Sequence, residues 1–310
     1  MTDLLHLSDP HFGTERDEVG DALLRLHREI APAMVVVSGD VTQRATATQF
    51  ERAANFLSSL GDARVMVLPG NHDIPLFDLF TRLTVPYARF SRHFGPDLEP
   101  VLETPELLVI AVNTVRAYRH KDGELSRGQI ARVASRLRGA GPHQLRVVVA
   151  HHPMAVTRPE DETNRAHRST RAIRAWVPAG ADLMLGGHIH LPFLLPLEPA
   201  DAAQGRRAWQ VQAGTAMSSR IRGTAPNSVN LIRRLAPSDD PLHPRSCTLQ
   251  RWDYDETLRR FALANESTLR FDAGVPVRPS PTVPASRGSP ATVSALSAPA
   301  SPWRTRHALF

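Results

Sequence analysis

Five short clusters of Asp, Asn and His punctuate the first 190 residues of this 310-residue chain. They are Asp9-Pro10-His11, Gly39-Asp40, Gly70-Asn71-His72-Asp73, His151-His152-Pro153 and Gly186-Gly187-His188-Ile189-His190. Carboxylates and an Asn carbonyl are hard oxygen donors, and imidazoles suit Zn, Fe or Mn. One carboxylate can also bridge two cations. A dinuclear metal site needs such a donor set, drawn from several chain segments. Donors at i and i+2, as in D-x-H and H-x-H, point to the same side of an extended segment. The glycines at 39, 70, 186 and 187 are expected to free the backbone for the turns that aim them.

Each cluster follows a short apolar run that reads as a strand. Strands are predicted over 4–8, 34–38, 65–68, 107–112, 145–150 and 183–185. Apolar periodicity predicts helices over 15–30, 46–60 and 126–138. Thr46 is placed to cap the second helix, and Gly61 to stop it. The donors therefore lie at the carboxyl ends of strands, where open α/β sheets bind ligands. After residue 190 the helical signal stops, and strands are expected over 192–197, 208–212, 229–235, 248–254 and 268–271. The reading is an α/β first half closing onto a second, largely antiparallel sheet. A surface loop is expected over 237–244.

The formal charge is +6, and only one of the 37 basic residues is lysine, Lys121. Residues 275–310 carry Arg278, Arg287, Arg304 and Arg306 with no acid, which leaves the first 274 residues at +2. That segment is rich in Pro and Ser and is expected to be a disordered tail behind a catalytic domain over 1–274. With its charge set apart, no nucleic-acid partner is implied. A single cysteine, Cys247, excludes an internal disulfide and Cys-rich zinc modules. No apolar run reaches the ~20 residues of a membrane span. The N-terminus lacks a basic, apolar leader, and cleavage there would remove Asp9 and His11; a cytoplasmic protein is expected.

In their order and spacing, DPH (9–11), GD (39–40), GNHD (70–73), HHP (151–153) and GHIH (187–190) resemble the calcineurin-like metallophosphoesterase family. The resemblance spans residues 3–191. It implies an α/β fold of two mixed β-sheets packed together and flanked by helices, a four-layer sandwich. It also implies two metal ions, Mn, Fe or Zn, with Asp9, His11 and His190 on one, Asn71, His151 and His188 on the other, and Asp40 between them. His72 would serve as general acid or as a positive donor near the leaving group, with a metal-bridging hydroxide attacking phosphorus.

The wording SDPHFG, GDVTQRA, PGNHD, HHP and GGHIH is most similar to bacterial class III cyclic-nucleotide phosphodiesterases. The implied substrate is then a small phosphodiester, a 3′,5′-cyclic nucleotide. Alternatives are a phosphodiesterase or pyrophosphatase acting on another small or lipid-linked phosphoester, a phosphomonoesterase, and a non-catalytic scaffold. A homodimer is left open. Protein Ser/Thr phosphatases carry Asp-Arg three and four residues after the GD aspartate; here those positions are Gln43 and Arg44. The aspartate that would orient His72 is therefore missing, and so is the tyrosine ligand of purple acid phosphatases. Asn71, His72, His152 and Arg44 are candidate substrate contacts, with Arg220 and Arg222 behind them. Phe77, Phe80, Tyr87, Phe90 and Phe94 are read as core, and His6 as a hydrogen-bonded strand residue.

Overall fold

The computed structural model describes residues 3–198, 206–234 and 242–272. Unbroken β-branched and Leu runs give the first three strands, β1 (Asp3–Leu7), β2 (Met34–Val37) and β3 (Arg64–Val67), which pair in parallel. Between them lie α1 (Asp17–Ile30) and α2 (Ala47–Ser58). The Thr46 hydroxyl caps α2 by accepting from the Gln49 N–H at 3.3 Å. Two short helices follow, α3 (Leu79–Thr84) and α4 (Ala88–Phe94), then the edge strand β4 (Val101–Glu103). β5 (Leu107–Val112), α5 (Arg127–Gly139), β6 (Leu145–Ala150), α6 (Ser169–Ala179) and β7 (Leu183–Gly186) complete the α/β part. A capping box between Ser126 and Gln129 starts α5.

The last five strands do not form a sheet of their own, as the sequence reading had them. β8 (Phe193–Leu197) and β9 (Ala208–Gln212) extend the sheet of β5, β6 and β7 in the order β4-β5-β6-β7-β9-β8. β10 (Ser228–Arg234), β11 (Arg245–Asp255) and β12 (Arg260–Phe271) extend the other sheet in the order β12-β11-β10-β1-β2-β3. Each sheet is therefore mixed. The β11–β12 hairpin runs well beyond its predicted strands. β12 is an edge strand most of whose side chains between Phe261 and Leu269 are exposed, Leu263 among them, so apolar alternation marks only its end.

Side chains alternate between the two faces of each strand. Leu4, Val36, Met66 and Leu68 of one sheet share a core with Val109, Val147 and Leu185 of the other. The opposite faces carry the helices. Leu5, Val35 and Val37 pack with Val19, Leu23 and Phe50, and Ile110, Val148 and Met184 pack with Ile130, Val133 and Trp176. The result is the four-layer sandwich with two mixed sheets inside. No described helix is long and apolar enough to cross a membrane. The tail read over 275–310, and most of the loop read over 237–244, lie outside the described residues.

Candidate metal centre

The carboxyl ends of β1, β2 and β3 in one sheet and of β6 and β7 in the other bring the five clusters together. The His151 Nε2 lies 3.3 Å from Asp40 Oδ1 and 3.2 Å from Asn71 Oδ1. The His190 Nε2 lies 3.2 Å from Asp9 Oδ1 and 3.0 Å from the His11 Nε2. The His11 Nε2 is also 3.7 Å from Asp40 Oδ2, so Asp40 sits between the two groups. His188 joins the His151 side, its ring centroid 5.2 Å from that of His151.

The backbone that aims these side chains is not extended. Asp9, His11, Asp40, His188 and His190 all have positive φ, between 45° and 72°. The i, i+2 argument from extended geometry is thus corrected: each pair converges through left-handed turns. Such residues cost about 1–2 kcal/mol each, and surrounding bonds must hold them. The Asp9 N–H donates to Gly39 O, the His11 N–H to Asp40 O, and the His188 N–H to the Asp9 carboxylate. Of the four glycines expected to serve turns, only Gly39 has positive φ, 106°. Gly70 is needed for another reason: a side chain there would run into the Asp40 backbone and carboxylate.

Two imidazoles have their tautomers fixed from behind. The His151 Nδ1–H donates to Ser38 O at 2.9 Å and the His190 Nδ1–H to Arg220 O at 2.5 Å, so in both rings Nε2 is the nitrogen that faces the cluster. Burial pushes His11 and His188 down to about 3, so both are neutral at pH 7 and free to donate lone pairs. Burial also opposes charge on His151, yet the adjacent Asp40 carboxylate, with Asp9 behind it, outweighs burial and raises it to about 9. Asp9 and Asp40 are 0% and 2% exposed. Burial raises their pKa values, but the imidazoles around them prevail and hold both carboxyls well below the usual range. Neither carboxylate meets an Arg or Lys among the described residues. Buried carboxylates ringed by imidazole nitrogens fit divalent or trivalent cations, which can take the place of the protons those rings hold. The donors suit Mn, Fe or Zn.

His72 borders a cavity of about 960 Å³ that also reaches Asp40, Asn71, His188 and His190. Its Nδ1–H donates to the Gln43 backbone carbonyl at 2.9 Å. The missing orienting aspartate is therefore replaced by a main-chain oxygen, which no side-chain pattern reveals. The Arg220 Nη1 lies 3.3 Å from the His72 Nε2 and donates to Gln43 Oε1 at 2.8 Å. Asp73 also escaped the sequence reading, although it ends the GNHD motif. Its buried carboxylate accepts from the N–H groups of Val41, Thr42 and Gly70 at 2.7–3.0 Å, locking the Asp40 turn to the His72 turn.

The expected substrate contacts differ in their surroundings. His152 is fully buried, with its Nδ1 on Thr114 Oγ1 at 2.8 Å and its Nε2–H donating to Lys121 O at 2.7 Å. Both ring nitrogens are engaged by protein in this arrangement, and the ring also lies beside those of His151 and His188. Arg222 is held by Asp161 at 2.7 Å. Arg44 is exposed at the cavity mouth, 5.6 Å from the Phe77 ring centroid. His6 is buried and bonded to Ser38 Oγ, as a strand histidine should be. Phe90 is core, but Phe77 and Phe80 are 77% and 79% exposed, against expectation.

No match to the sequence was found among curated proteins. Among solved structures, a purple acid phosphatase from yellow lupin (Lupinus luteus) superposes with a TM-score of 0.63 at 9% identity over 87% of this chain. This chain spans only 54% of that protein. A dimetal phosphatase from Danio rerio superposes with a TM-score of 0.58 at 13% identity, covering 87% of this chain and 99% of its own. These likenesses share the fold. The calcineurin-like phosphoesterase pattern matches residues 2–192, which contain all five clusters. The chain belongs to the calcineurin-like phosphoesterase family, phosphoester hydrolases that work through a dinuclear metal centre.

Proposed function

We propose that this chain is a metal-dependent phosphodiesterase acting on a 3′,5′-cyclic nucleotide. The observation that carries the reading is the convergence of seven donors from five strand ends around Asp40, beside His72, on the floor of an open cavity of about 960 Å³. Asp9, His11 and His190 would hold one ion, Asn71, His151 and His188 the other, and Asp40 both. When bound, the ions supply Lewis-acid polarisation at phosphorus and a nucleophile at neutral pH. The protein's own part is placement. Gln43 O fixes the His72 ring so that its Nε2 looks into the cavity. Arg220 puts a permanent positive charge beside that nitrogen, where phosphoryl oxygens would sit. Arg44 and the Phe77 ring stand at the mouth, where the rest of a nucleotide would project. The cyclic-nucleotide part rests on the wording of the motifs, which is similar to bacterial class III enzymes.

The test is turnover of cAMP, cGMP, bis-p-nitrophenyl phosphate and p-nitrophenyl phosphate by protein loaded with Mn, Fe or Zn. Cyclic nucleotides should be hydrolysed, and Asn71→Ala and His72→Ala should each lose most activity. Turnover of the model diester with both cyclic nucleotides untouched would refute the substrate. Unchanged activity in Asn71→Ala would refute the site.

A further inference from the structure

The strongest unexplained feature is helix α3, which is mounted with its polar side inward. A surface helix normally turns its apolar stripe to the core and its charges to water. Here Arg82 is 6% exposed, while Leu79, Phe80 and Leu83 are 63%, 79% and 70% exposed. The Arg82 guanidinium donates to three backbone carbonyls, Ala117 O at 2.8 Å, Pro75 O at 3.0 Å and Arg119 O at 2.6 Å. It meets no carboxylate among the described residues. Burying a guanidinium without a counter-ion is costly. Rolling the helix over would relieve that cost and bury three apolar side chains as well. The three carbonyl bonds hold it the other way, so the outward apolar face is built in.

We infer that this face docks on an anionic lipid surface. Exposures of 63–79% on neighbouring side chains describe a protruding knob rather than a groove, and Phe77 (77%) and Tyr118 (69%) widen it. A deformable apolar phase accommodates a knob without a matching cavity, and aromatic side chains are favoured at its boundary. The charge beside the knob is complementary to anionic headgroups. Arg44 lies on the Phe77 ring, and Lys121, the only lysine of the chain, is exposed beside the loop that Arg82 ties down. Neither pairs with a carboxylate among the described residues. The acids that border the knob are engaged: Asp78 caps α3 and lies 3.7 Å from Arg89, and Glu124, which accepts from the Tyr118 hydroxyl at 2.9 Å, is paired with Arg119 and Arg168. Residues 74–78 lead from the knob into the wall of the metal-centre cavity, so docking would bring the cavity mouth to the headgroup layer. The inference does not depend on which phosphoester is cleaved.

The experiment is co-sedimentation of the full chain with phosphatidylcholine vesicles, with and without phosphatidylglycerol. The full chain should bind the anionic vesicles, less so at high salt, and bind pure phosphatidylcholine weakly. The double variant Phe80→Ser, Leu83→Ser should lower the partition coefficient at least about tenfold. Its thermal unfolding and its turnover of bis-p-nitrophenyl phosphate should stay unchanged. No binding by the wild-type chain would overturn the inference. So would binding that the double variant leaves intact, because another segment would then be responsible. A dimer of the wild-type chain that the double variant dissociates would assign the knob to a second copy instead.

Discussion

Gly39 is where the fold and the metal centre depend on the same missing side chain. Its φ of 106° lies outside the regions open to L-residues, so Gly39→Ala carries about 1–3 kcal/mol of backbone strain. The added methyl would also stand 2.5 Å from the His151 Nδ1, 2.7 Å from its Cγ and 3.0 Å from the Gly70 Cα. Ordinary contacts fall at about 3.5–4.0 Å, so the overlap is roughly 1 Å. His151 cannot swing aside freely, because it is fully buried and its Nδ1–H is bonded to Ser38 O at 2.9 Å. Overpacking of this kind costs about 1–3 kcal/mol, and a lost hydrogen bond about 1 kcal/mol. The expected loss is about 3–7 kcal/mol, a large share of a normal domain's stability. Gly61→Ala is the control: its φ is 67°, and nothing lies within 4 Å of the added methyl. It should cost about 1–2 kcal/mol from backbone strain alone. Urea unfolding of the metal-free proteins gives both values, and calorimetric titration with Mn should show weakened binding in Gly39→Ala only. If the two variants lose the same stability to within about 1 kcal/mol, the collision with His151 does not operate and the reasoning fails.

Two further outcomes follow from the same cluster. In the metal-free protein His151 is raised to about 9, above its ordinary 6.5, so its contribution to stability is complete below pH 6.5 and is lost as pH rises through about 9. A cation must displace that proton, so Mn binding near neutral pH should release roughly one proton, read as a dependence of the binding heat on buffer ionisation; equal heats across buffers would contradict it. Arg220→Ala removes the donor between Gln43 and His72 but keeps the backbone carbonyl that holds His190, so metal content should be unchanged while kcat/KM falls about 10- to 100-fold. Partial recovery in Arg220→Lys is expected, and loss of metal from Arg220→Ala would show that the residue is structural instead.

The candidate metal-ligand clusters were legible because Asp, Asn and His are unusual immediately after buried strands, and five repetitions in order are more than turn formation alone requires. The parallel strands were legible for the opposite reason, since most of them are buried on both faces and read as short apolar runs, with β3 at the sheet edge the exception. Backbone features were hidden. A non-glycine residue such as His188 gives no sign that it will sit at a φ of 72°. The absence of an aspartate at position 43 suggested an unsupported His72, yet the carbonyl of Gln43 does the same task, and every residue has a carbonyl. Phe77 and Phe80 were misread because apolar side chains on helical spacing normally face inward. The element that reversed them, Arg82 bonded to three carbonyls, depends on tertiary contacts with residues 117 and 119.

Asp182 shows what this chain does with a buried carboxylate that is purely structural. It is 0% exposed and is met by Arg206 at 2.6 Å and by Arg245 at 3.0 Å. Arginine is plentiful: 36 of the 37 basic residues are Arg. Yet around Asp9 and Asp40, equally buried, the positions an arginine could fill are taken by His11, His151 and His190. An imidazole is a poorer counter-ion than a guanidinium, because it keeps its proton only where a carboxylate outweighs burial, as at His151, and loses it where burial prevails, as at His11. It is the better neighbour if the charge that balances the carboxylates is to arrive from outside, because an arriving cation can displace its proton and take the lone pair, which no cation can do with a guanidinium. The contrast between Asp182 and the Asp9–Asp40 pair separates a salt bridge from a candidate cation site within one molecule, by the choice of basic partner alone.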